Sequence, residues 1–161
     1  MLSGTAAAHF SDRLDVDVAP GSEDGVVDIE EDETVPVAVS PVGFTTEDGE
    51  RVTFDPTERP VRYRFGSRDA LGDGGGARPV DDGEVIETGD GREALLLEFP
   101  VEASGLEADD NTARLYWERD ESGNHGYSGS DSVTVVGPVP SEGELVGLFR
   151  QLLIDFLGGA R

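Results

Sequence analysis

Short runs in which apolar and polar residues alternate, each closed by a turn signal, follow one another from Leu14 to Val136. A period of two puts successive side chains on opposite faces of an extended chain, so such runs form half-buried strands. The clearest is Val61-Arg62-Tyr63-Arg64-Phe65, with Val, Tyr and Phe on one face and two arginines on the other. Residues 14–18, 26–29, 112–119 and 132–136 carry similar patterns. Residues 42–46 and 51–54 flank Asp48-Gly49, and residues 84–88 and 92–99 flank Gly89-Asp90-Gly91. Glycine at such turns supplies the positive φ that tight hairpins require, so both pairs are expected hairpins. Pro36 interrupts residues 35–39, which predicts an edge strand because proline cannot donate to an interior ladder. Ala94-Leu95-Leu96-Leu97 is apolar on both faces, as in a strand that is central or covered outside. Residues 66–83, with glycines at 72 and 74–76, are expected to form the most mobile internal loop.

These runs predict an all-β fold: an antiparallel β-sandwich or jelly roll of about 8–10 short strands. One helix is expected, at the C-terminal end. Apolar residues at Leu145, Leu148, Phe149, Leu152, Leu153 and Phe156 recur with helical spacing, Ser141 and Glu144 form a capping-box pair, and Gly158-Gly159 ends the pattern. Residues 1–13 read as an N-terminal arm, 14–137 as the β domain, and 138–161 as a stiff linker and the amphipathic helix. Thirteen residues make a marginal helix in water, so the segment must dock on something. At roughly 1.5–3 kcal/mol per buried large side chain, its apolar face is worth on the order of 10 kcal/mol. Its own β domain, an identical subunit, another protein or a membrane surface all remain open as the dock. A membrane is the poorest match, because the polar side offers Arg150 and Gln151 beside Asp155.

Charge narrows the environment. The chain holds 35 Asp and Glu against 12 basic residues, all arginine, for a net charge of −23. Self-repulsion on that scale opposes a compact state, whereas molar salt shortens the Debye length to about 3 Å and removes most of it. Nucleic acid is not an expected partner, since phosphate binding needs clustered cations. Four of the arginines, Arg59, Arg62, Arg64 and Arg68, fall within ten residues. They pair with carboxylates of the same chain, or Arg62 and Arg64 meet the acidic surface of a neighbouring subunit; the spacing alone does not choose.

No catalytic constellation stands out, and no cofactor is expected. Cysteine is absent, and His9 and His125 are too few for a multi-histidine metal centre. Asp120, Asn124 and Asp131 place oxygens at intervals like those of a calcium loop, but His125 stands where that loop needs glycine, so a plain hairpin loop is the expected reading. Carboxylate pairs for a hydrolase carry no specificity in a chain this acidic. Residues 1–10 lack the features of a signal peptide or membrane span.

The lysine-free acidic composition and the strand pattern from Leu14 to Val136 resemble structural proteins of haloarchaeal viruses, of the single jelly-roll capsid, penton or head-decoration type. That resemblance implies a non-enzymatic virion component that self-associates or binds other virion proteins, located in the virion or in the cytoplasm of a halophilic host. Two other classes stay in view. A ligand- or carbohydrate-binding β-sandwich would expose aromatics such as Tyr116, Trp117 and Tyr127 near a loop face, and a carboxylate-based hydrolase would present a cleft with one acid of raised pKa.

Overall fold

The computed structural model describes residues 9–88 and 91–137. The described chain is mostly β. A first sheet of four strands runs in the order β1 (His9–Asp12), β11 (His125–Ser132), β10 (Thr112–Glu118), β7 (Tyr63–Gly66). A second runs β2 (Asp15–Val18), β4 (Thr34–Ser40), β9 (Glu93–Pro100), β8 (Glu84–Glu87). Two ribbons complete it: the hairpin β5 (Val42–Thr45) with β6 (Arg51–Phe54), and the parallel pair β3 (Val26–Asp28) with β12 (Thr134–Val136).

Alternation builds the core. Val16 and Val18 of β2, Val35, Val37 and Val39 of β4, and Leu95, Leu97 and Phe99 of β9 face inward from the second sheet. They join Tyr63 and Phe65 of β7 and Ala113, Leu115 and Trp117 of β10 in a single hydrophobic cluster. Phe54 closes the hairpin side, packing edge-on against Trp117 at 4.9 Å and Tyr127 at 5.7 Å between ring centroids. Trp117 satisfies its indole N–H on the Pro60 carbonyl at 3.0 Å. The Tyr63 hydroxyl is buried without a hydrogen-bond partner among the described residues, and burial pushes its pKa well above the usual phenol value.

Both expected hairpins form, with Gly49 at φ 83° and Gly91 at φ 82°. Strand β9 is central, between β4 and β8. Strand β4 departs from expectation: it is central too, flanked by β2 and β9. Proline is tolerated there because its missing N–H faces the side on which the β2 ladder has ended at the Val18–Val37 pair. The Pro36 carbonyl, on that same side, accepts from Ala19, which turns the chain away at φ 51°.

The described part of the arm also differs, since residues 9–12 pair in parallel with β11. Two one-turn helices join the strands, α1 (Arg68–Gly72) and α2 (Val101–Ser104). Ser67 caps α1, its hydroxyl accepting from the Ala70 N–H at 3.1 Å. The helix expected over 145–157 lies outside the described residues. Among the described residues no helix is long and apolar enough to cross a membrane.

Candidate functional site

The outer face of the first sheet gathers the chemistry. In β10 the period of two sends Ala113, Leu115 and Trp117 inward and Arg114, Tyr116 and Glu118 outward. Arg64 of β7 is paired directly opposite Tyr116 and shares that outer face. On the other side β11 presents Gly126, Ser128 and Ser130 opposite Glu118, Tyr116 and Arg114. A Cβ at Gly126 would lie 1.8 Å from the Trp117 carbonyl oxygen, so only glycine fits. Phe10 of β1 lies over these small residues and stacks on Tyr116, with centroids 4.2 Å apart and planes 16° from parallel. The Arg64 guanidinium stands 5.4 Å from the Tyr116 ring centre and 5.9 Å from that of Phe10, within cation–π range of both.

One carboxylate anchors this cluster. Glu118, 5% exposed, accepts from Arg64 Nε at 3.0 Å and from both terminal nitrogens of Arg78 at 2.7 and 3.1 Å. Arg64 is 6% exposed, and its Nη1 donates to the carbonyls of Gly75 at 3.0 Å and Leu71 at 3.4 Å. The glycine-rich loop is therefore tied down over a buried guanidinium. Its turn depends on Gly76, at φ 105°, where a Cβ would meet Leu71 at 2.5 Å. The Phe65 and Ala77 main chains exchange hydrogen bonds just beyond it. Arg62 is held as well, donating to the Glu118 carbonyl at 3.0 Å and to that of Arg119.

Beside this network two adjoining clefts run along β10. One, of about 310 Å³, is lined by Arg68, Arg114, Thr112 and the acidic turn 109–111; the other, of about 470 Å³, by Arg68, Asp69, Gly72, Asp73 and Tyr116. Arg68 belongs to both. No hydrogen bond or ion pair engages either the Arg68 or the Arg114 side chain among the described residues, and Arg114 Nε is fully shielded from solvent. A buried donor left unmade costs about 1–3 kcal/mol. Of the rim carboxylates, Asp110 already accepts from the Glu107 N–H at 2.8 Å.

No family model, curated protein or solved structure matches the chain.

Of the arginines singled out by spacing, Arg62 and Arg64 are both engaged inside the molecule, the first by carbonyls and the second by Glu118. Residues Leu145, Leu148, Phe149, Leu152, Leu153 and Phe156 lie outside the described residues. The three oxygen-bearing candidates for a cation are not brought together. Asp120 accepts from the Ser122 N–H and hydroxyl in the β10–β11 turn, which holds its carboxyl below the usual range. Asn124 shares that turn, but Asp131 sits six residues beyond His125 on β11, about 20 Å away at 3.3–3.4 Å per residue. There it accepts from the Val18 N–H at 2.9 Å. Among the described residues no group of three or more His, Asp or Glu is placed to hold a metal. Of the aromatics considered for carbohydrate, Trp117 is buried and Tyr127 packs flat against it at 5.7 Å, leaving Tyr116 on the cleft side.

Spacing alone missed Glu118, Arg78 and Arg114. The outward positions of Glu118 and Arg114 follow from the alternation of Thr112–Glu118, whereas the approach of Arg78 and Arg68 is set by the chain path.

The Asp131 contact has a pH consequence. Partial desolvation, then repulsion from Asp131 and Asp15, raises the pKa of Asp17 above its ordinary 3.8. A carboxyl with a raised folded pKa stabilises the fold when protonated, and that contribution is lost as pH rises through the folded pKa. Asp17→Asn is therefore expected to stabilise the protein near neutral pH, by a few tenths of a kcal/mol at this exposed site (roughly the scale of surface pairs). The advantage should vanish below pH 3.8, where both states are protonated. Thermal melts of the two proteins across pH check this, and an advantage that grows toward low pH would contradict it.

Proposed function

We propose that the protein is a non-enzymatic assembly protein, a β-sandwich subunit of jelly-roll or related type that associates with copies of itself and serves as a structural component of the virion of a halophilic archaeal virus. The observation that carries the assembly reading lies on the β3–β12 ribbon. Val27 and Val135 point into the core, while Val26 and Val136 stand on the opposite face, 43% and 39% exposed. The register pairs Thr134 with Val26 and Val136 with Asp28, so the two valines are diagonal neighbours on one outward face. That ribbon leads at Gly137 into residues 138–161, whose apolar spacing needs a surface to cover it. An apolar strip continuous with an amphipathic segment is what two copies can bury against one another. The acidic composition supports a high-salt setting, and the virion assignment rests on the compositional resemblance.

Sedimentation velocity in molar KCl tests the role of this region. Val136→Asp and Leu148→Asp are each expected to shift the protein toward slower-sedimenting species. Unchanged sedimentation in both variants would remove the ribbon and the C-terminal segment as the association surface.

A further inference from the structure

We propose that the free edge of β8 is a second self-association surface, where two copies pair antiparallel and continue the second sheet from one molecule into the other. This pairing rests on the reading that copies associate and adds to it a surface of its own. Strand β8 is the outer strand in the order β2-β4-β9-β8, and among the described residues nothing pairs with its far side. The edges of β7 and β2 are occupied instead: Ala77 exchanges main-chain hydrogen bonds with Phe65, and the Asp131 carboxylate accepts from the Val18 N–H at 2.9 Å. The ladder to β9 shows which groups of β8 are left over. Thr88 N–H donates to the Arg92 carbonyl, so by the alternation of an antiparallel ladder Ile86 and Glu84 face Ala94 and Leu96 as hydrogen-bonded pairs. The N–H and C=O of Val85 and Glu87 therefore point to the open side. The Val85 side chain stands at the same edge, 49% exposed.

A second copy is the partner that this edge fits. A two-fold axis at Ile86 sets Val85 opposite the partner's Glu87, so each outward N–H and C=O of both residues finds its complement. Ile86 meets the partner's Ile86, beside Ala94 on the same face, and the two exposed valines become diagonal neighbours. Glu84 falls opposite the partner's Thr88, so no carboxylate directly faces another. Charged residues such as Glu84 and Glu87 guard an edge against pairing in dilute buffer. In molar salt the Debye length is about 3 Å, so that guard is largely lifted and the pairing strengthens with KCl. The other edge of the sheet, β2, adjoins the β3–β12 ribbon where Gly25 packs near the Val18 carbonyl. Copies joined at both places extend beyond a pair.

The test is hydrogen–deuterium exchange of the full chain in molar KCl, read at single amides at low and high protein concentration, with light scattering on the same samples. The Ile86 amide should be protected at both concentrations, whereas those of Val85 and Glu87 should exchange roughly tenfold or more slowly at the higher one. Val85→Pro removes an N–H that no bond within the chain uses, so the domain should keep its fold while Glu87 loses its concentration-dependent protection. Should the proline disturb the fold, Val85→Lys keeps the main chain, places a charge at the edge and is expected to have the same effect. Val136→Asp should leave the alternating pattern in place, which separates this edge from the ribbon. Association with the Val85 and Glu87 amides unprotected, or protection unchanged in both Val85 variants, would overturn this surface and leave the assembly reading standing. A mass of one chain at every concentration would overturn both.

Discussion

Replacing Glu118 with alanine is expected to destabilise the domain by about 3–5 kcal/mol, the scale on which breaking a buried ion pair leaves a charge uncompensated. The Arg64 Nε loses its carboxylate while its side chain stays 7% exposed between the sheet and the glycine-rich loop. Arg78 loses the same partner, but its side chain is 57% exposed and can turn to water. Arg78→Ala should therefore cost no more than about 1 kcal/mol. In a domain of this size the Glu118→Ala loss corresponds to a fall in Tm of about 10 °C, measured in molar KCl. Should that variant fail to fold, Glu118→Gln keeps the shape and one acceptor and is expected to fall between the two. Equal losses for Glu118→Ala and Arg78→Ala would contradict the picture of a single anchoring carboxylate.

Phe54→Ala is expected to cost a comparable amount, about 3–5 kcal/mol, through lost apolar burial and the cavity left behind. Phe54 is fully buried and is the point at which the β5–β6 hairpin enters the shared core. Its ring meets Trp117 and Tyr127 edge-on, and the Arg59 guanidinium stands 5.7 Å from its centre. Neither neighbour can fill the space cheaply: Trp117 is held by its indole bond to Pro60, and Tyr127 is stacked flat on Trp117. Trp117 is the only tryptophan, so its fluorescence reports both the packing change and the unfolding transition in urea. A loss under about 1 kcal/mol would mean that the hairpin contributes little to the common core.

How far these features could be read from the sequence depends on how local their causes are. The alternation of Thr112–Glu118 and Tyr63–Gly66 states which side chains face inward, and the glycines at 49 and 91 state where the hairpins turn. Pro36 misleads because the rule about proline concerns which side of a strand needs a donor, and that side was set by the turn at Ala19. Residues 9–12 carry no period of their own; their pairing is decided by the free edge of β11. Helix α1 is a single turn, too short for a periodic signal, though Ser67 three residues before the Ala70 N–H it caps is a legible cue. The Arg64–Glu118 pair joins positions 54 residues apart, so each charge could be placed on a face but the pairing came only with the sheet order. Arg114 was equally legible as an outward residue. Its isolation, and the approach of Arg68 from α1, are tertiary facts.

The claim on which the functional account depends is self-association, and absolute mass by light scattering across a protein concentration series in molar KCl tests it most directly. The expected mass settles at two or more whole multiples of the 17.1 kDa chain and falls when Val136 or Leu148 is replaced by aspartate. A mass of one chain at every concentration would contradict it.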